Sequence, residues 1–192
     1  MERVYEALQR ALSQGGALQP NSAPCFVCGL ANAFGLHLRF VQVTPDRVVA
    51  YTQIPRRFQG YPGVVHGGIT AAILDETAGR SLMGAEPEEA RLMFTARLNV
   101  RYRRPVPVET PLRAEGWVVK DRGRTAVTQA ALYLEGGTQP LAEAEALLVA
   151  LPPEMESQMD AQALGWRIYP LEPETVTPPS DPCAFEFSNR EG

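Results

Sequence analysis

His66-Gly67-Gly68-Ile69-Thr70-Ala71-Ala72-Ile73-Leu74-Asp75-Glu76-Thr77-Ala78-Gly79-Arg80-Ser81-Leu82 is the only long helical run in the middle of the chain. It is apolar nearly all round as far as Leu74, which marks a buried helix. Gly84 and Pro87 close it. The sequence on both sides is strand-like. Upstream, Leu36-His37-Leu38-Arg39-Phe40-Val41 alternates apolar with polar residues, the period of a half-buried strand with His37 on its exposed face. Pro45-Asp46 turns the chain and Val48–Ile54 returns, so 36–54 is predicted to be a hairpin. Downstream, residues 92–103, 112–121, 124–134 and 140–151 are four strand candidates. Asp121-Arg122-Gly123-Arg124 and Glu135-Gly136-Gly137-Thr138 are tight turns between them. One long helix with five or six antiparallel strands excludes a doubly wound fold. It predicts an α+β fold in which a sheet curls around one central helix.

The ends differ in texture. Residues 2–14 have helical spacing with Val4, Leu8, Ala11 and Leu12 on one stripe, and Gly15-Gly16 ends the run. Residues 17–35 form an irregular lead-in. After Pro152-Pro153 the chain is rich in Pro and Glu with no clear period, and a short helix near 154–164 followed by extended chain is expected. The chain therefore divides into an N-terminal helix and lead-in (1–24), a main domain (25–151) and a C-terminal extension (152–192). No internal repeat is visible.

Composition narrows the function. The chain has 192 residues, 45% of them hydrophobic, and a net charge of -4. That suits one globular core and gives no global attraction for nucleic acid or an anionic membrane. No stretch approaches the length needed to span a bilayer. The N-terminal run lacks the continuous apolar core of a signal peptide, so a cytoplasmic location is expected. Three cysteines, an odd number, do not make a disulfide framework.

Chemistry concentrates at the start of the central helix. Gly67 and Gly68 leave backbone N–H groups accessible at the positive end of a helix dipole, where they can polarise a carbonyl or bind a phosphate. Asp75 and Glu76 lie in a mainly apolar helix, where a buried acid without a partner is costly. Adjacent helical residues point about 100° apart, so only one should face a site. Glu76 is expected on a solvated edge or paired with an arginine such as Arg80.

The segment His66-Gly67-Gly68-Ile69-Thr70-Ala71-Ala72-Ile73-Leu74-Asp75-Glu76, with its acid at the ninth position after the histidine, resembles the hotdog-fold acyl-CoA thioesterases of the PaaI-like branch. The resemblance extends through Gln59-Gly60-Tyr61-Pro62-Gly63, through Phe94-Thr95-Ala96-Arg97-Leu98-Asn99-Val100-Arg101-Tyr102-Arg103-Arg104-Pro105-Val106, and upstream to Cys25-Phe26-Val27-Cys28-Gly29. It implies a hotdog fold, an antiparallel sheet wrapped around one long helix, and hydrolysis of acyl-CoA to free acid and CoA. In that pattern the Gly67 N–H binds the oxyanion and Asp75 is the general base or nucleophile. Thr95 helps to hold the lytic water, and Gln59 is the amide side chain that precedes the motif. No cofactor or metal is called for, because a thiolate leaves readily and one carboxylate with one N–H donor is a sufficient minimum. A homodimer, and a homotetramer as a dimer of dimers, are the assemblies implied.

His66 is the rival base, although its imidazole at a helix start is expected to fix the entering loop. Gly68 adds a second accessible N–H. Arg101, Arg103 and Arg104 cluster at one strand end, and Lys120, Arg122 and Arg124 surround the turn at Gly123. These positive charges in an acidic chain are expected to contact CoA phosphates. Cys25-x2-Cys28 has half of a zinc site's spacing, but Cys183 is distant and neither histidine is at ligand spacing, so buried structural thiols are expected. Two alternatives stand beside hydrolysis: a non-catalytic acyl-CoA binding protein, and a hydratase or dehydratase of acyl thioesters in which His66 would matter more than Asp75.

Overall fold

The computed structural model describes residues 2–156 and 165–172. Helix α1 (Glu2–Ser13) precedes β1 (Ala17–Leu18), β2 (Arg39–Thr44) and β3 (Arg47–Gln53). The long helix α2 (Gly67–Arg80) follows. Then come β4 (Met93–Tyr102), β5 (Pro111–Asp121), β6 (Thr125–Leu134), β7 (Ala142–Ala150) and the short α3 (Pro153–Glu156). All strand pairs are antiparallel and the sheet order is β1-β2-β3-β5-β6-β7-β4. The four downstream strands were read in chain order, but β4 does not pair with β5. It crosses to the far side of β7 and forms a sheet edge.

The sheet closes around α2 because its helix-facing positions are small. On β7 the residues Ala142, Ala144 and Ala146 are buried and alternate with the outward Glu143 and Glu145. On β5, Ala114 is fully buried and Gly116 lies under Thr77, whose carbonyl oxygen a Cβ at that position would strike. Into this concave face α2 inserts Ile73, Leu74 and Ala78, all fully buried. The core continues through Phe40, Val48, Ala50, Leu112, Leu132 and Leu148.

Helix α1 covers the opposite face of the sheet. Val4, Leu8 and Ala11 pack with Val41 in a second, smaller core. Ala7 is fully buried and Leu12 only half-buried, so the stripe is turned slightly from the one expected. Among the described residues no helix is long and apolar enough to cross a membrane.

The first strand of the predicted hairpin, β2, begins at Arg39, not Leu36, and His37 is not on an exposed strand face. His37 has φ 56, is buried, and its Nε2 lies 2.8 Å from the Asn32 carbonyl oxygen. A residue in the left-handed region breaks strand geometry, and here a polar side chain bonded to nearby backbone makes it tolerable. The lead-in, expected to be irregular, also contributes β1. Of the C-terminal helix expected near 154–164, Pro153–Glu156 is observed and the remainder lies outside the described residues.

Candidate active site

The entry to α2 is built by its own loop. Gln59 and Val65 form an isolated β-bridge, and the Gln59 side-chain oxygen accepts the Gly63 N–H at 3.2 Å. Gly63 has φ 79 and so needs no Cβ. His66 is the N-cap: its Nδ1 accepts the Gly68 N–H at 3.0 Å. That bond occupies one of the two glycine donors expected to be available. Gly67 is the first helical residue, so its N–H has no intrahelical acceptor, and it lies exposed at the positive end of the dipole. The Tyr102 hydroxyl donates to the Gly67 carbonyl at 2.9 Å and holds the helix start against β4.

Farther along α2, the Thr95 hydroxyl donates to Asp75 Oδ1 at 2.7 Å. Burial pushes the Asp75 carboxyl above its usual range. The Thr95 bond opposes that shift and the neighbouring Glu76 charge adds to it. Asp75 and Thr95 open on a cavity of about 590 Å³ that Glu76, Gly79, Arg80 and Met83 also line, with Arg91 to Phe94 on its far wall. Glu76 pairs with Arg80 at 2.9 Å, the second of its two expected fates.

Thr95 and Tyr102 both face α2 only because β4 carries a bulge. Thr95 pairs with Leu148 and Arg97 with Leu147, so Ala96 is an extra residue. A strand without it would alternate strictly and send 97, 99 and 101 inward. With it, Met93 and Leu98 and Val100 pack on the same core, while Thr95 reaches Asp75.

The two ends of α2 open on different clefts. Gly67 lies in a recess of about 400 Å³ with Tyr61, Thr70, Tyr102, Arg103 and Arg104. Asp75 lies in the cavity described above, and the two lining sets share no residue. The arginines also divide. Arg103 pairs with Glu143 at 2.7 Å and Arg104 donates to Gln139, both beside Gly67. Arg101 lines a third recess on the outer face of the sheet with Trp117 and Glu145. At the β5–β6 turn Gly123 has φ 75, and Arg122 and Arg124 are exposed. Arg91 donates to Asp121 and to the Gly123 carbonyl, which ties this turn to the rim of the Asp75 cavity. Tyr102 and Arg91 were not singled out by sequence reasoning, since a bulge and a crossover connection put them there.

Cys25 and Cys28 are free thiols, half-buried and buried. Their sulfurs and a Glu76 carboxylate oxygen lie within 4.8 Å of one another. A buried guanidinium, Arg80, is bonded to Glu76 and lies beside Cys28. Its positive charge opposes a divalent cation there.

An antiparallel sheet wrapped around one long helix is the hotdog fold, and α2 carries an exposed backbone donor at its start and a carboxylate two turns on. Residues 62–141 match the model of the thioesterase superfamily. Acyl-coenzyme A thioesterase THEM4 of Rattus norvegicus is 30% identical over 137 residues, 71% of this chain and 57% of the relative. The same enzyme of Xenopus laevis is 30% identical over 117 residues, 59% of this chain and 50% of the relative. The chain thus spans about half the length of these curated relatives. A crystal structure of a thioesterase superfamily protein is 29% identical with TM-score 0.58, covering 66% of this chain and 60% of that one. Thioesterase superfamily member 2 of zebrafish shares the fold at 16% identity and TM-score 0.55, covering 64% and 91%.

Proposed function

We propose that this protein hydrolyses acyl-CoA thioesters to a free acid and CoA. The observation that carries the proposal is the Asp75–Thr95 pair at 2.7 Å at the wall of a cavity large enough for an acyl group. A carboxylate made more basic by burial and aligned by a hydroxyl suits attack on a thioester carbonyl, directly or by deprotonating a water held between Asp75 and Thr95. The Gly67 N–H receives the oxyanion, with the α2 dipole behind it. His66 positions the loop through its bond to Gly68 and is not the base. The THEM4 relatives, named as acyl-coenzyme A thioesterases, support the substrate class, and the motif supports the PaaI-like branch.

Gly67 and Asp75 stand on one helix eight residues apart, or ~12 Å at the usual rise. A donor on the carbonyl oxygen and a base on the carbonyl carbon must converge within a few ångströms, so one chain's helix does not supply both. A twofold pairing through the edge strand β4 sets Gly67 of one chain against Asp75 of its partner. The functional unit is therefore a homodimer with two composite sites, which can pair further into a tetramer. Arg122, Gly123 and Arg124 lie at the cavity rim and contact the CoA phosphates, with Arg103 and Arg104 near Gly67.

The test is thiol release from short, medium, long-chain and aromatic acyl-CoAs, comparing the parent with Asp75→Asn. Release from at least one class that the variant loses supports hydrolysis. Tight binding of acyl-CoA without release would favour the binding-protein alternative. Hydration of an enoyl-CoA that survives Asp75→Asn would favour the hydratase.

A further inference from the structure

The turn Cys25-Phe26-Val27-Cys28-Gly29 packs beneath α2, and no step above uses it. Its backbone is wound around one sulfur. Cys25 Sγ accepts the N–H of Val27 at 3.3 Å and that of Cys28 at 3.5 Å. The Gly29 N–H closes the turn on the Cys25 carbonyl at 2.9 Å, and a Cβ on Gly29 would strike that backbone. The Cys28 thiol faces Cys25 Sγ, and the two sulfurs lie within 4.8 Å of each other. Two backbone donors and a thiol on one sulfur favour its anionic form.

The two thiols are unequal in the way a nucleophile and its resolving partner are. Cys25 is half-buried and so open to a small molecule, while Cys28 is buried. The charged groups facing them are Glu76 and Arg80 of α2. The Cys28 bond draws the Cys25 pKa down to about 6, against partial burial and the Glu76 charge. The same bond, with burial and Glu76, pushes the Cys28 thiol well up, so it keeps its proton. A tetrahedral zinc ion would find two thiols and one carboxylate here among the described residues, beside the buried Arg80 guanidinium.

We propose that Cys25 and Cys28 form a redox-active dithiol that reduces small hydroperoxides, with Cys25 as the attacking thiolate and Cys28 as the resolving thiol. The Cys25 thiolate attacks the outer peroxide oxygen and the O–O bond breaks. The electron pair leaves on the alkoxide, or on hydroxide when the oxidant is hydrogen peroxide, which takes from solvent the proton that Cys25 released on ionising, and Cys25 becomes a sulfenic acid. The Cys28 sulfur then attacks Cys25 Sγ and hydroxide leaves, taking up the Cys28 proton as water. In sum, two thiols and one hydroperoxide give one disulfide, one alcohol and one water. In a Cys-x2-Cys turn with sulfurs within 4.8 Å of each other, a change of side-chain rotamer with a small backbone adjustment makes this closure.

The diagnostic quantity is a pH profile. A thiol with a pKa near 6 is about 90% ionised at pH 7, but a less basic thiolate is also a weaker nucleophile, so the neutral-pH rate alone changes little. The experiment treats the reduced full-length protein with equimolar hydrogen peroxide at pH 7 and maps the peptides by mass. The peptide holding Cys25 and Cys28 should lose two hydrogens and regain them with dithiothreitol. Iodoacetamide should alkylate Cys25 with a midpoint at pH about 6. Cys28→Ser should leave Cys25 as a sulfenic acid trapped by dimedone, and Cys25→Ser should leave Cys28 reduced. Both thiols remaining reduced under excess peroxide would overturn the proposal. So would Cys25 alkylation rising only above pH ~8, the range of an ordinary thiol. Stoichiometric zinc bound to the parent and lost in Cys25→Ser would replace the dithiol with a metal site. If the serine variants fail to fold, the parent's peptide map and pH profile decide alone.

Discussion

The shared-site reading is tested most sharply by mixing two dead proteins. Gly67→Pro deletes the proposed oxyanion donor and Asp75→Ala deletes the base. The first is well chosen structurally. Gly67 is the first residue of α2, a position that proline tolerates, and His66 before it has φ -58 and ψ 138, the extended conformation a pre-proline residue prefers. The atoms nearest to a Cβ at Gly67 belong to the Tyr102 side chain, its hydroxyl oxygen first at 3.5 Å, so the fold should survive. Each variant alone should be inactive. Dissociated, mixed equally and refolded, half of the dimers should be heterodimers. In each, the intact Gly67 of one chain faces the intact Asp75 of the other, and the second site carries both lesions. Thiol release should recover to roughly a quarter of the parent's. A site made within one chain predicts none, since every chain then carries a lesion. No recovery, with heterodimers counted by native mass spectrometry and Gly67→Pro shown folded by circular dichroism, would refute the ~12 Å argument.

Asp75→Asn should lower kcat by about 10²–10⁴-fold, read by steady-state thiol release. The same variant should melt at pH 7 no lower than the parent. The raised carboxyl pKa means that the native state favours the protonated form, so Asp75 contributes stability below its unfolded pKa of about 4 and loses it as pH rises through the higher folded value. Thr95→Val removes the bond that opposes this shift and should move the acid limb of the pH–rate profile to higher pH. Arg122→Ala with Arg124→Ala should raise KM for acyl-CoA and blunt its salt dependence, while thioesters lacking the nucleotide react as before. Gly116→Ala should cost about 1–3 kcal/mol in urea unfolding, because the new methyl meets the backbone carbonyl of Thr77 and not a movable side chain.

Much of the fold was legible because its signals are local. The apolar stretch to Leu74 announced a buried helix, and Ala-Glu-Ala-Glu-Ala at 142–146 announced a strand with one face buried. The Gly123 and Gly136 turns fell where positive φ was expected. The reading failed at His37, where a bond to the Asn32 carbonyl outweighed the alternation around it. It could not foresee that Arg39 and Arg80 would be buried. Arg39 gives its protons to the carbonyls of Tyr169 and Pro170, and Arg80 to Glu76 and the Pro20 carbonyl, partners far away in sequence or hidden in the turn of a helix.

The site divides along the same line. The sequence alone placed Gly67 at a helix start and Asp75 two turns later, because helix periodicity and dipole are properties of contiguous residues. Tertiary structure decided which groups meet them. The β4 bulge at Ala96 turns Thr95 toward Asp75 and Tyr102 toward Gly67, and the crossover of β4 to the far side of β7 leaves it as an edge. Packing also set Cys25 and Cys28 against Glu76, which separates that acid from its neighbour Asp75. These are long-range pairings whose register depends on the whole sheet closing around α2, and no window of sequence contains that information.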